Sequence, residues 1–426
     1  MSLRAIFSSK DIRNLFCLAT IQFSNALLPL IAFPAVMLSI GVEPFSSIAI
    51  TEAVATLLLA ITLYSFEIDG VSSVVGLSVV EDREQISRVF SEILYARLLI
   101  VATCALGVLA VLPLLETRYQ VLMLGWLLYP IGVALQSLWL FQALERNVVP
   151  AFVVAVTRIA SLFGLLVYVD ESTDYWLVPI LFSLSYVMTG VILQGFLWRN
   201  TGITLVMVPV QNILQRIRGG AAIFIGGMSV SLYRDSNTLI LGALSNSHAV
   251  SIYSIVEKFV KFIQAAARPL NQLYFNKVVR QLKGHTVPDF NSFVIVFRHT
   301  VPQLAVILVG LILVFFLYTK IPHDWLDDKV GVVAGPGASL FTVMSVSVFF
   351  GISNFMFGSA GLNFLGEKKY FTKSIFLVGI FSVLFSLIFV PLFDYWATAV
   401  AFVLSEIILS ALIALRYRRT PYSSGK

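Results

Sequence analysis

Glu257, Lys261, Gln264 and Arg268 recur at steps of four, three and four, the spacing that stacks side chains on one face of a helix. Lys258 borders that stripe, while Val256, Phe259, Val260, Phe262 and Ile263 cover the remainder. Just upstream, Ser231, Arg234, Asp235 and Thr238 give a second apolar segment a polar face. Arg97, Arg158, Glu52 and Glu406 lie within other apolar runs. A charge at bilayer depth costs on the order of +2.5 to +3.5 kcal/mol, so such residues face a polar cavity or a partner.

Two kinds of chemistry fit these residues. Arg97, Arg158, Arg234, Lys258, Lys261 and Arg268 are six cations against the four anions Glu52, Asp235, Glu257 and Glu406, with Glu92 at a helix end narrowing the gap. An anionic ligand balances such a surplus, and the planar fork of arginine suits phosphate because it makes two parallel hydrogen bonds. The four carboxylates are also candidates to take up a proton or Na⁺ and couple it to transport, since burial and nearby cations push a carboxyl pKa in opposite directions. The competing reading is internal pairing, Glu257 with Lys261 at i,i+4 and Arg234 with Asp235.

No catalytic constellation accompanies them. His248, His285, His299 and His323 show no metal-ligand spacing, and there is no GxxxxGK[ST] phosphate loop. Asp324, Asp327 and Asp328 read as a solvated acidic loop. The expectation is a protein that is not an enzyme, with no metal and no cofactor.

The elements that position these charges are membrane helices. Of 426 residues, 58% are hydrophobic and only 12% charged, and mean hydropathy is +0.90. A soluble protein carries about 25% charged residues, so lipid is the solvent for most of this chain. The net charge of +6 reflects basic helix ends and intramembrane cations rather than nucleic-acid binding. Cys17 and Cys104 lie in apolar runs, which argues against a disulfide framework. The first apolar run lacks a small-residue cleavage site and reads as a retained helix.

Twelve segments are long and apolar enough to span: 14–39, 46–66, 90–113, 120–142, 149–169, 175–197, 219–243, 247–270, 294–318, 336–358, 371–393 and 396–415. Pro29, Pro34, Pro130 and Pro391 interrupt helices, and Pro269 is expected to end one. With both termini in the cytoplasm, twenty basic residues, from Arg4 and Lys10 to Arg419 and Lys426, fall on that side, and only Arg118, Lys320 and Lys329 on the other. No loop is long enough to fold as a domain.

The chain also divides in two. Phe45–Glu52 and Val250–Glu257 share a pattern 205 residues apart, each following a Leu/Ile-Gly pair at Ile40-Gly41 or Leu241-Gly242. This predicts an N-terminal six-helix bundle over 1–200, a cytoplasmic amphipathic linker over 201–218 and a C-terminal six-helix bundle over 219–426.

Three stretches resemble a known family: Phe66-Glu67-Ile68-Asp69-Gly70 through Glu81-Asp82-Arg83 to Phe90–Leu94; Leu138-Trp139-Leu140-Phe141-Gln142-Ala143-Leu144-Glu145-Arg146; and Ser231–Thr238 through Tyr253–Lys258 to Pro269–Tyr274. They are similar to the Wzx-type O-antigen and polysaccharide flippases, in a superfamily that also holds multidrug antiporters and lipid II flippases. Gly70-Val71-Ser72-Ser73 and Asn246-Ser247-His248 depart from the family pattern.

The resemblance implies an all-α membrane fold of two six-helix bundles, related by a pseudo-two-fold axis along the membrane normal, around a central cationic cavity. It implies translocation of undecaprenyl-diphosphate-linked oligosaccharide across the bacterial inner membrane. A polysaccharide polymerase and a chain-length regulator are the implied companions. Gln136, Ser137, Gln142, Gln264, Ser345, Ser353, Asn354 and Asn363 become candidates for sugar contacts. The alternatives are a small-molecule antiporter of the same superfamily, disfavoured by the positive charge, and a membrane polymerase or glycosyltransferase, disfavoured by the short loops.

Overall fold

The computed structural model describes residues 9–318 and 334–419. The acidic loop with His323, Asp324, Asp327 and Asp328, and the cations Arg4, Lys320, Lys329 and Lys426, lie outside the described residues. Among those described, the regular structure is entirely helical, and the chain packs as two compact units, Met1–Ser231 and Leu232–Lys426.

Unit 1 holds α1 (Ser9–Ile40), α2 (Val42–Leu63), α3 (Phe66–Val74), α4 (Arg83–Val111), α5 (Thr117–Trp126), α6 (Leu128–Gln136), α7 (Leu138–Ala143), α8 (Val148–Tyr168), α9 (Leu177–Thr201) and most of α10 (Val210–Arg234). Gly41 separates the first two helices at φ 87°, a backbone region that glycine enters without a Cβ penalty. Pro130 removes an amide that α5 would need to continue, and the helix breaks just before it. Ser137 then turns the chain at φ 45° into α7.

The helices of unit 1 pack through α1 on α8, α8 on α9 and α6 on α9. Glycines set the last approach: a Cβ on Gly132 would fall 2.5 Å from the Val187 amide nitrogen, and one on Gly190 2.6 Å from the Leu135 Cβ. In lipid, where apolar contact alone gives little net drive, small residues let backbones come close enough for dispersion to hold them. The first two family-like stretches meet in the same way. Gly70 lies against the Trp139 ring, where an added Cβ would be 2.5 Å from the ring carbon Cε3. Phe66, Phe90, Ile93, Trp139 and Phe141 form the surrounding core.

Between α9 and α10 the chain is not helical over 202–209. The amides of Thr204 and Val206 donate instead to the hydroxyls of Ser87 and Ser91 on α4, at 3.3 and 2.9 Å. The amphipathic stretch that follows begins at Val210 and runs on unbroken as α10.

Unit 2 holds α11 (Asn237–Leu244), α12 (Ser247–Gln281), α13 (Phe290–Tyr318), α14 (Ala334–Asn354) and α15 (Lys368–Arg419). A wide helical segment, Phe355–Leu362, extends α14. α12 packs on α14, and both α11 and α14 pack on α15. Pro269 does not end α12, which continues to Gln281 with the proline inside it. Asp289 starts α13: its carboxylate accepts from the Ser292 amide at 2.8 Å, and its own amide donates to the Ser292 hydroxyl at 2.9 Å. Partial burial acts to raise the Asp289 pKa, but the bonds from Ser292 outweigh it and hold the carboxyl below the usual carboxylate range.

Nine described helices are long and apolar enough to cross a membrane. The last of these, Lys368–Arg418, has 51 residues, about 75 Å of helix against a hydrocarbon core of about 30 Å. It is long enough for two passes and breaks at Asp394, where φ is 49°. α10 and α12 are absent from the nine, and they are the segments whose polar stripes were read from the sequence. The twelve expected segments fall largely on helical residues but not one to one: 120–142 is divided among α5, α6 and α7, 219–243 is broken after Arg234 so that Thr238 lies on α11, and 371–393 and 396–415 share α15.

Candidate functional site

In unit 1, α8 carries Arg158, 2% exposed, toward α1 and α9. Its Nε donates to Asn25 Oδ1 at 3.0 Å, and its Nη1 donates to Ser185 Oγ at 3.0 Å and Thr189 Oγ1 at 3.3 Å. The guanidinium lies over the Tyr186 ring, 3.4 Å from its centroid, a cation–π contact strengthened by burial. Every one of these partners is neutral. Nη2 is buried with no hydrogen-bond partner. The charge is therefore held by dipoles and a ring, and one donor remains to be satisfied.

Arg97 of α4, 1% exposed, is placed differently. It pairs with Glu67 at the start of α3 and lies near the Phe66 ring. Glu67 stands outside the sequence's count of intramembrane anions because it follows the second apolar run. The short α3 folds back and brings it to Arg97. Nearer the start of α4, Glu92 is 8% exposed and accepts from Arg216 of α10 through Nε at 2.9 Å and Nη2 at 2.7 Å. Asn212 Nδ2 adds a third bond at 3.3 Å. Glu52 is buried in α2 at 9% exposure. Gln142 is exposed at the end of α7.

In unit 2, Glu406 of α15 is wholly buried. Arg234 donates to its Oε1 from Nε at 3.2 Å and Nη2 at 2.5 Å, and Asn354 Nδ2 donates to its Oε2 at 2.7 Å. Ser410 in turn donates to Asn354 Oδ1 at 2.7 Å. Asn354, a candidate for a sugar contact, thus has both amide atoms engaged within the unit. Lys261 stands between two carboxylates, 2.9 Å from Asp235 Oδ1 and 3.2 Å from Glu257 Oε1. The i,i+4 pairing of Glu257 with Lys261 is present, while the strong bond of Arg234 runs to Glu406. Lys258 is buried on α12 at 7% exposure, Gln264 is half-buried with its Nε2 unpartnered, and Arg268 is exposed farther along.

Seven of the predicted residues are gathered into two groups, while Arg97 pairs separately with Glu67, and Glu52, Gln142, Lys258, Gln264 and Arg268 are not counted in either group. Arg234, Asp235, Glu257, Lys261, Asn354 and Glu406 come together in unit 2, and Arg158 centres a neutral nest in unit 1. Asn25, Glu67 and Arg216 are the members that spacing along the sequence did not reveal. The Phe66–Gly70 stretch already carried Glu67, but only the return of α3 gives it a role.

The comparisons with known proteins agree with this architecture. The chain is 20% identical over 413 residues to an Escherichia coli (strain K12) protein named "Putative O-antigen transporter", covering 95% of this chain and 96% of that one. A Shigella dysenteriae protein of the same name is 24% identical over 277 residues, covering 64% of this chain and 68% of that one. Two solved structures share the fold. A multidrug resistance MATE family transporter of the MOP superfamily, in an inward-facing conformation, gives a TM-score of 0.68 at 14% identity over 94% of this chain and 97% of its own. The lipid II flippase MurJ, inward closed, gives 0.66 at 12% identity over 95% and 88%. The chain shares the helical fold of these two structures. The model of the family described as "Polysaccharide biosynthesis protein" matches residues 12–274, more than half the chain, and the chain belongs to that family.

Proposed function

We infer that this chain is a flippase, not an enzyme. It moves undecaprenyl-diphosphate-linked oligosaccharide repeat units, of O-antigen or a related polysaccharide, from the cytoplasmic to the periplasmic leaflet of the bacterial inner membrane. Both termini lie in the cytoplasm, and transport proceeds by alternating access. The observation that carries this reading is Arg158, a guanidinium buried in an apolar helix among neutral partners with Nη2 unsatisfied. A cation kept at that depth without a carboxylate is expensive unless a ligand completes it, and a diphosphate oxygen is the natural acceptor for a guanidinium N–H.

Arg97, Arg234, Lys258, Lys261 and Arg268 supply further positive charge along the path, and Gln142, Gln264 and Asn354 are the amides assigned to the sugars, Asn354 only by giving up its bonds with Glu406 and Ser410. A neighbouring carboxylate oxygen already holds Arg97, Arg234 or Lys261. These three therefore contribute by exchanging partners as the lipid passes. Glu52, Asp235, Glu257 and Glu406 are the groups at which a proton or Na⁺ couples to that exchange. The names of the two relatives, both O-antigen transporters, support the substrate class.

The test is depletion of the chain in its source strain. Lipid-linked repeat units should accumulate facing the cytoplasm while surface polysaccharide disappears. Surface polysaccharide at wild-type levels after complete depletion would reject the reading.

A further inference from the structure

Unit 1 contains a cavity of about 460 Å³, within the range of roughly 300–1,000 Å³ common for small-ligand sites. Its walls include Asp69 and Ser73 from α3, Glu92 from α4, and Asn212, Gln215 and Arg216 from α10. It is separate from the Arg158 nest, which is built from α1, α8 and α9.

The lining decides what fits. Two carboxylates against one guanidinium give a net negative wall, which repels a diphosphate. The single guanidinium is already committed to Glu92 through two nitrogens. Carboxylate oxygens accept from hydroxyls, while amides and serine hydroxyls both donate and accept. This mixture satisfies a ligand that presents many hydroxyl groups. The acceptors are held in place: Ser65 Oγ donates to Asp69 Oδ2 at 2.5 Å, and Glu92 is fixed by Arg216 and Asn212. Gly219 also lines the cavity, and a Cβ built there meets nothing within 4 Å, so a larger side chain has room to enter the space.

We propose that this cavity binds sugar residues of the transported glycan, on the side of the membrane where Arg216 and Arg218 lie, and that the diphosphate is bound elsewhere. The assignment rests on the flippase reading for the identity of its ligand. It makes the cavity a determinant of which repeat unit is accepted.

The probe is the repeat oligosaccharide of the source strain, freed from its lipid, titrated into the purified full-length protein by calorimetry. Gln215→Ala and Asp69→Asn should each weaken binding about tenfold, as expected for losing a well-placed hydrogen bond to a ligand. Gly219→Leu should abolish binding by filling the space. Gln211→Ala, on the same helix but not in the lining, should bind as wild type. Equal binding in all four variants, or no binding to the wild type, overturns the site. Transport of the lipid-linked form by the wild type, assayed in parallel, separates the two ideas. Its failure sinks the flippase reading, whereas insensitivity of oligosaccharide binding to the cavity variants sinks only this assignment.

Discussion

At the scale of single residues, the buried arginines differ in what holds them, and the difference predicts different mutant behaviour. Arg158 is held by neutral groups, so its loss leaves no carboxylate stranded. Arg158→Ala should insert and fold but lower transport at least tenfold. Arg158→Lys should rescue only part of that loss, because an ammonium cannot reproduce the fork. Wild-type transport by Arg158→Ala, measured against its own abundance in the membrane, would remove Arg158 from the substrate path. Arg234 has the opposite character. Its removal strands Glu406 in a fully buried position, at a cost of about 3–5 kcal/mol. Arg234→Leu should therefore lower the thermal stability of the detergent-solubilised protein sharply, and Arg234→Leu with Glu406→Leu should recover much of it. If the double variant is no more stable than the single one, the ion pair is not what the loss reflects. The charges themselves were legible in the sequence, because a polar side chain in an apolar run is visible without any fold. Their partners were not. Arg97 and Glu67 are 30 residues apart, Arg216 and Glu92 124, and Arg234 and Glu406 172. Only packing brings such pairs together, whereas Lys261 and Glu257 lie one helical turn apart and could be paired in advance.

At the scale of elements, apolar length located the helices, and local chemistry located few of their ends. The return of α3 depends on Tyr64 at φ 48°, and the break before α7 on Ser137 at φ 45°. Neither residue type announces a positive φ, so both breaks escape a reading by composition. Pro269 misled in the other direction. A proline costs a helix one amide bond and some bending, but surrounding helices tolerate it, and α12 runs on past it. Glycine contacts between α6 and α9 make a specific prediction. Gly132→Leu should lower the amount of folded protein recovered from membranes, because its Cβ would collide with the backbone at Val187, while Gly107→Leu, with open space around it, should be tolerated. Equal recovery of the two would mean that the close approach does not govern packing. The Asp289 cap predicts a pH effect as well. Its folded pKa is depressed, so its stabilisation is complete above the unfolded value of about 3.9 and is lost as pH falls through the folded pKa. Asp289→Ala should speed hydrogen exchange at the first turn of α13 near neutral pH by the equivalent of about 1 kcal/mol, with the difference shrinking in strong acid. Exchange unchanged near neutrality would show that the cap is not rate-determining there.

At the scale of the whole molecule, the low charge content fixed the solvent, and hydropathy with basic-residue placement proposed the topology. That topology is open to a direct check by cysteine labelling in a background lacking Cys17 and Cys104. A cysteine at Glu116 should react with an impermeant maleimide in cells whose outer membrane has been permeabilised, and one at Lys283 only after the inner membrane is broken. The reverse pattern would invert the molecule and place the cavity of unit 1 on the periplasmic side. What the sequence could not convey at this scale is how the buried charges are distributed and paired within each unit. Both units hold cations locked to carboxylates, Arg97 and Arg216 in unit 1 and Arg234 and Lys261 in unit 2, and unit 1 also holds Arg158 among neutral groups and a separate polar cavity. Those differences arise from side chains distant in sequence.

The most direct test of the central claim is transbilayer movement of undecaprenyl-diphosphate-linked oligosaccharide in liposomes containing the purified protein, read by accessibility of the glycan to an external glycosidase. Protein-dependent movement is expected, and it should fall at least tenfold in Arg158→Ala. A folded wild-type protein that leaves this lipid in place, with several oligosaccharides tried, while exchanging small organic cations would contradict it and make the chain an antiporter.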